Sequence, residues 1–123
     1  MPHSGQLRLI EDVIHRPGGD VLVVKLHGTL SLGKESILLR DHLRGRFDAG
    51  SRFILLAFDG VTFMDSSGIG VLVEMKAHAV HGQGDIRLVR CPSFVATILY
   101  RLALHRILEM YETDEAALEG WGP

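Results

Sequence analysis

The chain has 123 residues, 46% of them hydrophobic and 23% charged, with a formal net charge of −2 and a pI near 6.4. That length suits one compact domain with a real core, and the absence of a basic stripe argues against nucleic acid or an anionic membrane as partner. The single cysteine, Cys91, cannot form an internal disulfide or a cysteine-rich zinc site, so it fits a reducing compartment.

The opening Met1-Pro2-His3-Ser4-Gly5-Gln6 lacks the charged-then-apolar layout of a signal peptide. Apolar runs such as Phe53 to Phe58 are too short to span a bilayer. A cytoplasmic location is expected. Gln6 to His15, with Leu7, Leu9 and Val13 among polar residues, reads as a half-buried strand, and Arg16-Pro17-Gly18-Gly19-Asp20 as a turn. The β-branched run Val21 to Gly28 predicts a second strand pairing back on the first. From Gly33 to Ala49 the apolar spacing becomes helical, with Gly50 as the stop. Arg52 to Phe58 has the continuous apolar pattern of a central strand buried on both faces.

Beyond that strand a loop leads to a helix over Ser66 to His81, ended by Gly82-Gln83-Gly84. Ile86 to Arg90 reads as a short strand. Pro92 suits the first turn of a helix running to about His105. Ile107 to Tyr111 reads as a last strand and Thr113 to Leu118 as a final helix, with Thr113 as N-cap. The order β-β-α-β-α-β-α-β-α predicts an α/β fold, a mixed sheet of about five strands with four helices packed on it. One domain is expected over residues 1–123, with its core over about 6–118. In such sheets function gathers where a strand ends and a helix begins, which points to the segment after Phe58.

There Asp65 is a strong N-cap candidate, and Ser66 would be the first helical residue, followed by Ser67 and Gly68. First-turn amides and the positive end of the helix dipole favour an anion at this spot. A phosphoryl group on Ser66 would add roughly −1.5 to −2 charges to the surrounding surface. On a helical wheel Ile69, Leu72, Val73, Ala79 and Val80 share the arc expected to meet the sheet. Ser66, Gly70, Glu74, Ala77 and His81 share the opposite arc, with Val71 and Met75 at its apolar border. Ser66 is thus expected beside a small contact patch, with Gly70, Val71, Glu74 and Met75 as partner-binding residues. Lys76 falls in the apolar arc, where snorkelling at the edge is the simplest account.

The stretch FDGVTFMDSSGIGVLVEMKAHA resembles the signature of the STAS domain, the fold of bacterial anti-sigma factor antagonists. The preceding VLVVKLHGTL resembles that family's second strand with its Leu-x-Gly-x-Leu ending. IRLVRCPSFVATILYRLALHRILEMYETDEAAL is similar to its strand, helix, strand, helix tail. The resemblance covers about Val21 to Leu118 and is most specific from Met64 to Gly70. It implies that Ser66 is phosphorylated by a partner that is both serine kinase and anti-sigma factor. It also implies that the unphosphorylated chain binds that factor and so frees a sigma factor, and that a serine phosphatase restores binding. Asp65, Ser67 and Gly68 would support the phosphosite. One departure is Ser31, which stands where the family often has an acidic residue.

Other readings compete with the switch. Asp65 and Ser66 could form an ordinary capped helix start, and Gly68 and Gly70 could serve close packing. A STAS module working as a scaffold or transport-complex subunit would need no phosphorylation. A hydrolase with Ser66 as nucleophile lacks the Gly-x-Ser-x-Gly elbow, since Met64 takes its first glycine position, and no phosphate-binding Gly-Lys loop is present. No catalytic role and no cofactor are expected. Glu74, His78 and His81 can share a helix face, but three such residues are more often solvated than metal-bound, and no metal is expected. Cys91 beside Pro92 has two readings, a lowered pKa at a helix start or a buried structural thiol; the second is favoured.

Overall fold

A computed structural model of the chain describes residues 6–31 and 33–121. The opening segment Met1 to Gly5, considered above for a leader, lies outside the described residues. Strand β1 (Arg8–Ile14) turns back antiparallel onto β2 (Val21–Leu30). In the connecting turn the Gly19 N–H donates to the Arg16 carbonyl at 3.1 Å, and Gly19 takes φ 133°. That angle is where glycine replaces other residues at no steric cost.

Helix α1 (Lys34–Asp48) carries the chain over to β3 (Phe53–Met64), parallel to β2. Helix α2 (Ser66–His81) leads to β4 (Asp85–Val89), and α3 (Ser93–Arg101) leads through a 3₁₀ turn at Leu104–Arg106 to β5 (Met110–Tyr111). Helix α4 (Asp114–Leu118) follows, capped by the Thr113 hydroxyl, which accepts from the Ala116 N–H at 3.1 Å. The sheet order is β1-β2-β3-β4-β5, with every pairing after the first one parallel. This is the mixed α/β sheet of five strands and four helices that the alternation of apolar periods predicts.

Both faces of the sheet are packed, because β3 alternates. Ile54, Leu56 and Phe58 enter a core shared with Leu39 and Leu43 of α1, Leu72 and Met75 of α2, and Val95 and Leu99 of α3. Leu55 and Ala57 enter a second cluster with Val21, Val23, Val89, Ala117 and Trp121. Trp121 meets Phe53 edge-on at 5.4 Å and donates its indole N–H to Asp85 Oδ2 at 2.9 Å. The other oxygen of Asp85 binds Lys76 Nζ, which answers why a lysine lies on the inner side of α2: it pairs with a half-buried carboxylate.

Several boundaries differ from the sequence expectation. The loop expected after Phe58 is instead strand, since β3 continues to Met64 by pairing Val61, Phe63 and Met64 with Gly28, Thr29 and Leu30 of β2. Extra residues in β3, one within Phe58–Asp59 and one at Thr62, absorb the register shifts against β2, and the polar residues in this extension hid it from a pattern of continuous burial. Helix α3 stops at Arg101, where Ala103 adopts a left-handed φ of 58° before the 3₁₀ turn. Strand β1 starts at Arg8 and β5 shrinks to two residues.

Candidate functional site

The long β3 delivers its end directly into a helix. Met64 is buried, and the next residue, Asp65, donates its N–H to the Leu30 carbonyl at 3.2 Å, tying the junction to the end of β2. Asp65 has extended backbone (φ −115°, ψ −172°), and its carboxylate accepts from the N–H groups of Ser67 at 3.0 Å and Gly68 at 3.4 Å. Two of the four orphan donors at the helix start are thereby satisfied by an anion at the positive end of the dipole. Ser66 follows as the first helical residue. It is exposed, and its hydroxyl has no hydrogen-bond partner among the described residues.

Ser67, one residue on, is half-buried, with its hydroxyl 2.6 Å from Asp65 Oδ1 and 2.7 Å from the Ser36 hydroxyl of α1. Ser36 is 3% exposed and its Oγ donates to the Ser31 carbonyl at 2.6 Å. Ser31 in turn donates its hydroxyl to Glu35 Oε1 at 3.3 Å, so a carboxylate stands one helical turn from the position where Ser31 itself carries none. The starts of α1 and α2 are therefore stitched together at the C-terminal edge of the parallel strands. Ser36 was not singled out in the sequence. Its signal was a small polar residue in register with Leu39 and Leu43 on the buried side of α1.

The two glycines differ. At Gly68 a Cβ would lie 2.6 Å from the Leu30 carbonyl oxygen and 2.8 Å from Leu30 Cγ, so close packing of the helix tip on β2 demands glycine there. At Gly70 a Cβ would meet nothing within 4 Å. A glycine in a helix interior costs about 0.5–1 kcal/mol relative to alanine. Gly70→Ala is therefore expected to raise stability by about that amount, read as a rise in denaturation midpoint at unchanged m-value.

The expected partner surface needs correction. Val71 is 8% exposed and Met75 is 0% exposed, and both belong to the main core. The inward arc of α2 is Gly68, Val71, Leu72, Met75 and Ala79, rotated by roughly a quarter-turn from the expected one. Val80, assigned inward, is 53% exposed. The physical reason is that α2 carries apolar residues on nearly every side, so its apolar direction is weakly defined. The packing of α1 and the sheet decides it. Gly70 and Glu74 remain on the exposed arc with Ser66. Glu74 lies 3.9 Å from Arg44 of α1, and the His78 ring tilts against Phe47 at 5.3 Å, so these two residues are drawn toward α1, while His81 is exposed.

Cys91 is half-buried, and burial pushes its thiol up to about 12, so it stays protonated at neutral pH. The alternative of a lowered pKa at the start of α3 is thus corrected.

Comparison with known proteins agrees with this architecture. The model of the STAS domain matches residues 13–117. A Thermotoga maritima protein assigned as an anti-sigma factor antagonist superposes with a TM-score of 0.76 at 21% identity, over 90% of this chain and 92% of that one. The Bacillus cell fate determinant SpoIIAA in its phosphorylated form superposes at 0.69 and 20% identity, over 91% and 97% of the two chains. The anti-sigma factor antagonist SpoIIAA in its unphosphorylated form gives 0.66 and 21%, over 91% and 96%.

Proposed function

This chain belongs to the STAS domain family, and from that premise we propose that it is an anti-sigma factor antagonist whose binding is switched by phosphorylation of Ser66. Unphosphorylated, it sequesters an anti-sigma factor that is also a serine kinase, and so frees a sigma factor for transcription. Phosphorylation releases the factor, and a serine phosphatase resets the chain. The role is binding rather than catalysis, and it is carried out in the cytoplasm.

One observation carries this reading: Ser66 is exposed at a capped helix tip, and its hydroxyl is committed to no other group among the described residues. A modifying enzyme can reach such a hydroxyl. The new anion sits at the positive end of the α2 dipole, while a protein docked against the tip meets a dianion in place of a hydroxyl. Gly70, one turn along the exposed arc and under no packing constraint, lets a partner's surface approach the backbone of α2. Glu74 edges the same surface. Gly70→Ala, stabilising in isolation, is accordingly expected to weaken partner binding.

The test is incubation of the purified protein with ATP and a soluble extract of its host, followed by mass spectrometry of the peptide spanning Ser66. Phosphate on Ser66, absent in Ser66→Ala, is the expected result. No uptake, with Ser66→Ala still binding its partner fully, would instead identify a scaffold or transport-complex subunit that works without phosphorylation.

A further inference from the structure

Two serines of identical chemistry stand side by side at the tip of α2, yet their surroundings differ. Ser66 is exposed, with its hydroxyl uncommitted among the described residues, whereas Ser67 is held from both sides. Its Oγ lies 2.6 Å from the Asp65 carboxylate and 2.7 Å from Ser36 Oγ, and Ser36 Oγ lies 2.6 Å from the Ser31 carbonyl. A seryl hydroxyl has one proton and two lone pairs. The Ser67 proton goes to the carboxylate, the strongest acceptor in reach. The Ser36 proton is left to divide between the Ser31 carbonyl and the Ser67 oxygen.

On the reading of Ser66 as the phosphate acceptor, we propose that the buried Ser36 is a positioning residue that withdraws Ser67 from competition, so that the helix tip offers a single acceptor. In phosphoryl transfer a seryl oxygen attacks the γ-phosphorus of a nucleoside triphosphate. Its proton passes to a base, the new O–P bond forms, and the bond to the bridging oxygen breaks, leaving the diphosphate. Ser67 can do this only by leaving Asp65 and turning away from Ser36. The rotation deprives the α2 cap of one of its contacts and removes from Ser36, 3% exposed, the hydroxyl oxygen that lies 2.7 Å away. Ser66 meets neither penalty. Ser36 is thus the residue by which α1 determines which hydroxyl of α2 carries the charge.

Two measurements separate this proposal from the reading beneath it. In the unmodified protein, proton NMR is expected to show slowly exchanging hydroxyl signals for Ser36 and Ser67 and none for Ser66. Ser36→Ala should accelerate exchange at the Ser67 hydroxyl by about tenfold while the amide spectrum keeps its dispersion. In the extract-and-ATP reaction Ser66→Ala should take only a trace of phosphate on Ser67, whereas Ser66→Ala combined with Ser36→Ala should take about tenfold more. Exchange at Ser67 as fast as at Ser66, or unmoved by Ser36→Ala, overturns the proposal even where wild-type protein is phosphorylated on Ser66. Wild-type protein that accepts no phosphate defeats the switch instead, and hydroxyl exchange then decides the role of Ser36 by itself.

Discussion

Met75→Ala is expected to destabilise the chain by about 2–5 kcal/mol, the range for emptying a fully buried large site. The side chain is 0% exposed and packs in the main core with Leu72, Leu56 and Phe58. Its loss removes apolar burial and leaves a cavity that the sheet cannot close, since cores are packed to crystal-like density. Against a typical total of about 5–15 kcal/mol this is a large fraction. Denaturant unfolding of Met75→Ala beside Glu74→Ala makes the comparison sharp, because an exposed substitution usually stays within about 0.5 kcal/mol. A Met75 effect as small as that of Glu74 would return Met75 to the surface and restore it as a contact residue.

On the proposed function, Ser66→Asp is expected to weaken binding to the anti-sigma factor by about a hundredfold relative to Ser66→Ala, on the scale of several kcal/mol for a misplaced charge in an interface. Within the chain the same charge is close to neutral. A carboxylate in the first turn of a helix gains about 0.3–1 kcal/mol from the dipole, and Asp65 keeps its own bonds to Ser67 and Gly68. The disparity between a small intrachain effect and a large interface effect is what makes a switch rather than a lesion. Parallel titrations of both variants, each checked for unchanged thermal unfolding, measure it.

Much of this was legible in the sequence because the relevant signals are local. The change of apolar period marks every helix and strand, and Asp65 and Thr113 announce their caps by residue type. The double-sided burial of Ile54 to Phe58 is written in an uninterrupted apolar run. What escaped depends on contacts distant along the chain. The extension of β3 to Met64 is held by Gly28 to Leu30 of β2, and the rotation of α2 by the helix and sheet it packs on. The bond from Ser36 to Ser67 spans 31 positions. Lys76 looked anomalous until its partner Asp85, on the neighbouring strand, was in view. At the candidate site the helix start at Ser66 and its cap Asp65 were readable; the contact of Ser67 with Ser36 was not.

The most direct test is to install phosphoserine at position 66 by genetic encoding, which needs no kinase, and to compare it with unmodified protein. Affinity for the proposed anti-sigma factor partner and thermal unfolding are measured on the same preparations. The expected result is a loss of affinity of about a hundredfold or more with a melting temperature shifted by no more than about five degrees. Equal affinities, or a phosphoprotein that no longer folds, would contradict the view that this helix tip can change its charge alone and be read by a neighbour.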